Sequence, residues 1–161
     1  MFAKIILSIL AFLLTIFPNS RTLLTQQQSW SFPGKSVVSQ NIVDAINAGD
    51  TDALMDMMSL DTKQNMEDLR GHVEELMNAI DGEIIEGKLG GGGYSSSESG
   101  TGQAIRKESW EWEIKTATSS YELDIYWIIV HSHAPQEVGL CSLSLYDSEN
   151  NLLVTTYHTK A

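Results

Sequence analysis

The hydrophobic period of this chain changes once, near Glu83, and the change restricts the fold to one class. Upstream of Glu83, apolar residues recur every three or four positions, which is the repeat of one side of an α-helix. Downstream, they alternate with polar residues, which is the repeat of one face of a β-strand. Helices followed by consecutive strands predict an α+β domain, here three N-terminal helices packed on one face of a curved antiparallel sheet.

Capping and turn residues set the expected bounds of these elements. The expected helices are one from Ser36 to Gly49, a short one after Asp50, and a long one from the capping-box pattern of Asp61 and Gln64 to Gly82. The expected strands are Ile84–Leu89, Ala104–Thr116, Tyr121–His131, Val138–Tyr146 and Leu152–Tyr157. The glycine- and serine-rich segment Gly90–Gly102 is expected to be a loop.

The alternation also assigns faces and a register to the second and third strands. The tryptophans of the second strand and the apolar odd positions of the third strand are expected to face the helices. Residues paired across an antiparallel ladder share a face, so the connecting turn must hold an even number of residues. A turn at Ala117–Ser120 then sets Trp110 opposite Trp127 and Arg106 opposite His131.

The N-terminal segment, residues 1–20, has the layout of an export signal. Lys4 precedes an apolar run, Ile5–Phe17, that is shorter than the roughly 18 apolar residues of a membrane span. No clean cleavage motif follows the run, so an uncleaved anchor remains the alternative. The expected organisation is this signal, a linker at residues 21–35 and a single domain at residues 36–161. We therefore expect an extracytoplasmic protein, secreted or associated with the cell envelope.

Charge and cysteine content narrow the partners. The chain has 10 Lys and Arg against 21 Asp and Glu, a net charge of −11. Such a chain repels phosphate backbones and anionic lipid, so no nucleic acid partner is expected. Contact with a membrane is expected only through residues 1–20, if this segment is not cleaved. The single cysteine, Cys141, excludes an internal disulfide and is expected in the core. No cofactor is expected, because the glycine run lacks the phosphate-loop pattern. No metal is expected, because one cysteine excludes a multi-cysteine metal site.

Several diffuse motifs resemble one bacterial family. They are the V-x(3)-I-x(2)-AI-x(2)-GD pattern of Val38–Asp50, the glycine run Gly90–Gly93 and the VGLCSL strand Val138–Leu143. The family is an uncharacterised one, domain of unknown function 5104, found mostly in exported proteins and lipoproteins of Gram-positive bacteria. It is similar in turn to the nuclear-transport-factor-2-like, cystatin-like cone fold. The chain departs from these patterns in lacking a lipidation cysteine and in having its first strand after the long helix.

The candidate ligand-binding residues follow from the expected register. Arg106, Glu108, His131 and His133 share the helix-facing side near one end of the sheet. Burial of Glu108 beside a tryptophan would raise its pKa toward that of a general base. Two alternatives remain open: a β-bulge could turn Glu108 outward, or Glu108 and Arg106 could form a simple salt bridge. The two histidines lack a third ligand for zinc, and no catalytic set is complete.

The function expected from this sequence is an exported, non-enzymatic binding or interaction module. Its ligand would be an unidentified small molecule or a protein or peptide partner, held at the mouth of the cone or along a strand edge. The alternative is a small cone-fold enzyme, an isomerase, dehydratase or hydrolase, with Glu108 or His131 as general base. A third possibility is a structural envelope protein with a filled cone.

Overall fold

The computed structural model describes residues 32–100 and 103–157, so the predicted export signal, residues 1–20, and almost all of the predicted linker lie outside these ranges. The helices are α1 (Lys35–Ala48), α2 (Thr51–Met57), α3 (Leu60–Asn65) and α4 (Leu69–Ala79). The strands are β1 (Glu86–Gly100), β2 (Gln103–Lys115), β3 (Ser120–His131), β4 (Gly139–Asp147) and β5 (Leu152–Thr155), with a 3₁₀-helix at Pro135–Glu137. Within the described ranges, no helix combines the length and apolarity of a membrane span.

The five strands form one antiparallel sheet in the order β1-β2-β3-β4-β5, so the α+β class and the meander are confirmed. The sheet is open, with β1 and β5 as its edges. The helices cover one face, which we call the inner face; the other is the outer face. Fully buried side chains from both layers meet at the inner face: Ile42, Leu54, Leu76, Trp110, Ile114, Leu123, Ile125 and Leu143. Each contributes about 1.5–3 kcal/mol to stability.

The face assignment is confirmed but the register is wrong by two residues. Trp110 and Ile125 are buried on the inner face, yet Trp110 pairs with Ile125 and not with Trp127. The turn is one residue earlier than expected at each end, Thr116–Ser119, and the Thr116 backbone N–H donates to the Ser119 carbonyl at 2.9 Å. A shift of two residues keeps every side chain on its face, so alternation alone could not detect it.

The long third helix is in fact two helices, α3 and α4. The Ser59 hydroxyl caps α3 by accepting from the Thr62 N–H, so the capping box at Asp61 and Gln64 is wrong. The Asp68 carboxylate caps α4 by accepting from the Gly71 N–H, and Asp68 itself has φ 51°. Two strong local caps nine residues apart break the helix although the apolar period continues.

The glycine run lies within a strand, not within a loop as expected. Leu89 pairs with Trp112 and Gly93 pairs with Trp110, so Gly90, Gly91 and Gly92 lie opposite Glu111 alone. The Gly92 N–H donates to the Glu111 carboxylate at 2.6 Å. Pairing then continues to Gly100 opposite Gln103. A Cβ at Gly90 or Gly92 would collide with the Glu111 side chain, so these two positions need glycine, whereas a Cβ at Gly91 would meet open space.

Gly93 offers a test of this bulge, with Gly91 as its control. Gly93 has φ 145°, and a Cβ there would lie 2.8 Å from the Ser109 carbonyl oxygen, whereas a Cβ at Gly91 would meet open space. We predict that Gly93→Ala lowers the free energy of unfolding by about 1–3 kcal/mol and that Gly91→Ala changes it by less than about 0.5 kcal/mol. Urea unfolding followed by tryptophan fluorescence measures both, and equal effects would contradict the assignment.

Candidate functional site

The Glu108 carboxylate lies on the inner face, only 6% exposed, and is surrounded by three donors. Lys35 Nζ, at the start of α1, lies 3.1 Å from one carboxylate oxygen. Arg106 Nη2 lies 2.8 Å from the other oxygen, which also accepts from the Ser95 hydroxyl at 3.2 Å. This cluster therefore joins α1, β1 and β2 through one buried carboxylate.

The pKa of Glu108 is lowered, contrary to the expectation of a general base. Burial raises the pKa, but the hydrogen bonds from Arg106 and Lys35, the charge of Lys35 and the hydrogen bond from Ser95 together outweigh it. The carboxylate is thus ionised at neutral pH and already bound by two cations. Such a group accepts a proton poorly, so its geometry favours a structural role over general base catalysis.

The structure separates the histidines from this carboxylate. A β-bulge in β3 leaves Ile129 without a partner, so Arg106 pairs with Val130 and His131 pairs with Ile105. His131 therefore lies on the outer face, opposite to Arg106 and Glu108, and its predicted pairing with Arg106 is wrong. Among the four candidate residues, only Arg106 and Glu108 come together.

The two histidines differ in their surroundings. His131 Nδ1 accepts the Ala134 N–H at 3.0 Å, and its Nε2 lies 3.7 Å from the Glu137 carboxylate. His133 is exposed in the turn that follows β3. In the part of the chain that the structure describes, no three His, Cys, Asp or Glu residues are grouped as metal ligands. These contacts assign His131 to the outer face together with Glu137.

A cavity of about 280 Å³ opens on the outer face beside His131 and Glu137. Its lining combines aromatic, apolar and charged side chains: Lys107, Tyr126, Ile128, Glu137, Cys141 and Tyr157, with residues 59–62 at the start of α3 as one wall. Burial raises the pKa of Tyr126, and nearby Cys141, Glu137, Tyr157 and Tyr94 add to the effect. This cavity was not predicted from the sequence.

Two adjacent bulges produce the cavity. The first bulge is at Ile129 in β3. The second is in β4, where Tyr126 pairs with Ser142 and Trp127 pairs with Leu140, so Cys141 has no partner on β3. The start of α3 closes the side, because the Ser59 N–H donates to the Leu140 carbonyl at 2.8 Å. Bulges redirect side chains and are common beside binding sites.

Cys141 is a lining residue of this cavity and not the fully buried core residue that was expected. The bulge removes it from the alternation with Leu143 and Leu145, which do lie in the core. Burial raises the pKa of its thiol to about 11, with smaller opposing effects from hydrogen bonds at Ile128 and Ser59. The thiol is therefore protonated at neutral pH and is a weak nucleophile.

A second cavity of about 410 Å³ continues along the outer face toward β5. Tyr126 and Tyr157 line both cavities, and Ser109, Ser142 and Asp124 line the second. We call the two together the outer groove. One sequence signal could have revealed it: Tyr126 occupies the solvent-side parity of Glu122 and Asp124, where an aromatic residue interrupts a polar alternation.

Acidic pairs lie beside the outer groove. Glu111 pairs with Asp124 and Glu113 pairs with Glu122, so like charges face each other across β2 and β3. Burial, and then the Glu111 charge, raise the pKa of Asp124. Burial, and then the charges of Glu111, Asp124 and Glu113, raise the pKa of Glu122. This part of the face carries a negative potential that disfavours further anions.

We predict that Glu108→Gln destabilises the protein by about 1–3 kcal/mol at pH 7, because two cations lose their buried partner. Since the pKa of Glu108 is below its ordinary value of 4.5, its contribution is present above that pH and is lost as the pH falls through the lower folded value. Urea unfolding between pH 3 and pH 7 measures this. Glu98→Gln, an exposed glutamate on β1, is the control and should leave stability unchanged.

The acidic pairs predict that stability changes with pH in the opposite direction at pH values nearer to neutral. A carboxyl whose folded pKa is raised destabilises the protein above that pKa, and the cost is relieved as the pH falls toward the ordinary value, 4.5 for Glu122. Stability should therefore rise when the pH falls from 7 toward about 5, and Glu122→Gln should flatten this rise. Thermal unfolding at stepped pH measures it; an unchanged slope in Glu122→Gln would contradict the repulsion.

Comparison with known proteins identifies a family and leaves the function open. No curated protein matches the chain. The family model described as Domain of unknown function (DUF5104) matches residues 41–148, which is well over half of the chain. The matched region runs from α1 to the end of β4 and includes Glu108, Tyr126 and Cys141. This chain belongs to the DUF5104 family.

Proposed function

We propose that this protein is an extracytoplasmic, non-enzymatic binding module whose site is the outer groove. The observation that carries the proposal is the cavity of about 280 Å³, lined by tyrosines and an isoleucine with one lysine and a few carboxylates. Concave sites that combine aromatic walls with a few polar groups are the usual form of ligand pockets. The adjoining cavity of about 410 Å³ extends the surface available to a ligand.

Binding fits this chemistry better than catalysis. The Glu108 carboxylate is held by Lys35 and Arg106 on the other face of the sheet. The Cys141 thiol is protonated, because burial raises its pKa to about 11. His131 Nδ1 accepts the Ala134 N–H and its Nε2 lies 3.7 Å from the Glu137 carboxylate, so both ring nitrogens face groups of the protein itself. These contacts support binding over catalysis.

Location and overall shape form part of the same proposal. The apolar run Ile5–Phe17 after Lys4 supports export, and the net charge of −11 supports a partner that is not anionic. Four helices and a five-stranded antiparallel sheet support a relationship to the nuclear-transport-factor-2-like cone. In this chain the proposed site lies on the outer face of the sheet, with the start of α3 as one wall.

The test uses the single cysteine as a reporter of occupancy. We predict that fragments that bind the full chain slow the alkylation of Cys141, which lines the cavity. Lys107→Ala should lower the affinity for such fragments at least fivefold. Lys88→Ala removes an outer-face lysine that pairs with Glu113 outside the groove, and it should lower the affinity less than twofold. Mass spectrometry measures alkylation and NMR titration measures affinity.

Hits that leave Cys141 alkylation unchanged and shift only the resonances around Glu108 would contradict the proposal. They would assign ligand binding to the inner face, where Arg106 and Glu108 were first expected to act. Equal losses in Lys107→Ala and Lys88→Ala would contradict it as well, since that result would indicate a general charge effect and not a site.

A further inference from the structure

Three tyrosines form one row across the outer face. Tyr94 of β1 pairs with Ser109, Ser109 pairs with Tyr126, and Tyr126 pairs with Ser142. The register of β4 with β5 continues through the bond from the Thr156 N–H to the Leu143 carbonyl, which places Tyr157 beside Ser142. Paired residues share a face, so tyrosine and serine alternate from one edge of the sheet to the other.

The spacing of this row is set by the sheet. Neighbouring strands lie 4.7–4.9 Å apart, so tyrosines on every second strand are about 9.6 Å apart. Each serine between them leaves a slot, because its side chain is short. The row thus presents two slots between aromatic rings, one above Ser109 and one above the buried Ser142, and both serines line the second cavity.

The tyrosine row is accessible from solvent. Tyr94 is 60% exposed and Tyr157 is 57% exposed, while Tyr126 is half-buried and lines both cavities. Solvent-exposed tyrosines offer a rigid apolar ring with a polar hydroxyl at its tip, and they lose little conformational entropy when they are covered.

One backbone conformation matches this spacing. A polyproline II helix has three residues per turn and a rise of 3.1 Å per residue, so its repeat is about 9.3 Å. The two-residue repeat of an extended strand, about 6.7 Å, and the turn of an α-helix, about 5.4 Å, do not match about 9.6 Å. Aromatic-lined grooves bind proline-rich segments through this repeat, and the preformed helix loses little entropy on binding.

We propose that the outer groove binds a proline-rich segment of another protein in the polyproline II conformation, with basic residues flanking the prolines. This inference rests on the proposed function, because it names the partner of the same groove. The segment crosses the strands along the tyrosine row, and prolines three residues apart fill the slots at Ser109 and Ser142.

Charge determines the flanking residues. Asp124 lines the second cavity, and Glu111 faces it across β2 and β3. Glu137 and Asp61 line the first cavity, with Lys107 as the only lysine or arginine among the lining residues. Arginine or lysine beside the prolines complements this negative surface and relieves the repulsion between Glu111 and Asp124.

The partner is a different chain, because this one carries no suitable motif. Its three prolines are Pro18, Pro33 and Pro135, and no two of them are three residues apart. A second copy of the chain therefore cannot supply prolines with the spacing of the two slots.

Fluorescence anisotropy with the full chain tests the inference. The probe is a labelled peptide, Arg-Ala-Pro-Pro-Ala-Pro-Pro-Ala-Arg, and its control has every proline replaced by alanine at the same charge. We predict at least tenfold tighter binding of the proline peptide, and a weaker affinity as the salt concentration rises. Equal binding of the two peptides would overturn the inference, because recognition would then be electrostatic alone.

Variants locate the binding to the row. Tyr126→Ala should weaken the affinity for the proline peptide at least tenfold. Tyr94→Ala and Tyr157→Ala should each weaken it three- to fivefold. Tyr121→Ala is the matched control, because Tyr121 lines neither cavity of the outer groove. It lies on the inner face at the start of β3, where its hydroxyl accepts the Asp81 N–H, and its loss should weaken peptide binding less than twofold. The two exposed tyrosines keep the test valid if Tyr126→Ala unfolds. An equal loss of affinity in Tyr121→Ala would overturn the assignment of binding to the row.

The same experiment separates this inference from the proposed function. Fragments that protect Cys141 while neither peptide binds would overturn the inference and leave the binding module intact. A neutral oligosaccharide that binds through Tyr126 in place of the peptide would likewise replace the partner and keep the site. Both proposals fail if no fragment or peptide protects Cys141 from alkylation and if neither peptide changes the anisotropy.

Discussion

The burial of Trp110 is the constraint on which the arrangement of layers depends. Its ring is fully buried, its indole N–H donates to Ser39 of α1 at 2.8 Å, and Phe32 packs edge-on against it at 6.0 Å. Lys35 lies over the same ring, 5.6 Å from its centroid, while its ammonium binds Glu108. One indole thus fixes α1 on the inner face, and the outer groove stays open on the other face, with the start of α3 as one wall.

The bulges follow from the same constraint. The inner face must present an unbroken apolar surface to the helices, so an extra residue is tolerated only where its side chain does not disrupt that packing. Ile129 and Cys141 are such residues on neighbouring strands. The bulge at Cys141 directs its side chain away from the core, and the resulting space on the outer face is the cavity that Tyr126 and Lys107 line.

The sequence determines the faces of this protein but not its register or its bulges. Alternation placed Trp110 and Glu108 correctly on the inner face, because a side chain on the wrong face is costly. It could not fix the pairing of Trp110, because an offset of two residues buries the same side chains. Lys35 was missed because it lies 73 positions from Glu108 and no local pattern connects the two. Tyr126 was missed because solvent-side positions were read only as polar.

The outer face shows a conflict with stability that the inner face does not. Glu111 and Glu113 pair directly with Asp124 and Glu122, although like charges opposite each other weaken a sheet. The chain offsets part of this repulsion itself, because the Gly92 N–H binds the Glu111 carboxylate and Lys88 binds Glu113. The pKa values of Asp124 and Glu122 are nevertheless raised, by burial first and then by the neighbouring charges. Local conflicts of this kind are expected at functional surfaces. The basic partner proposed above would complement the acidic pairs and the exposed tyrosine row together.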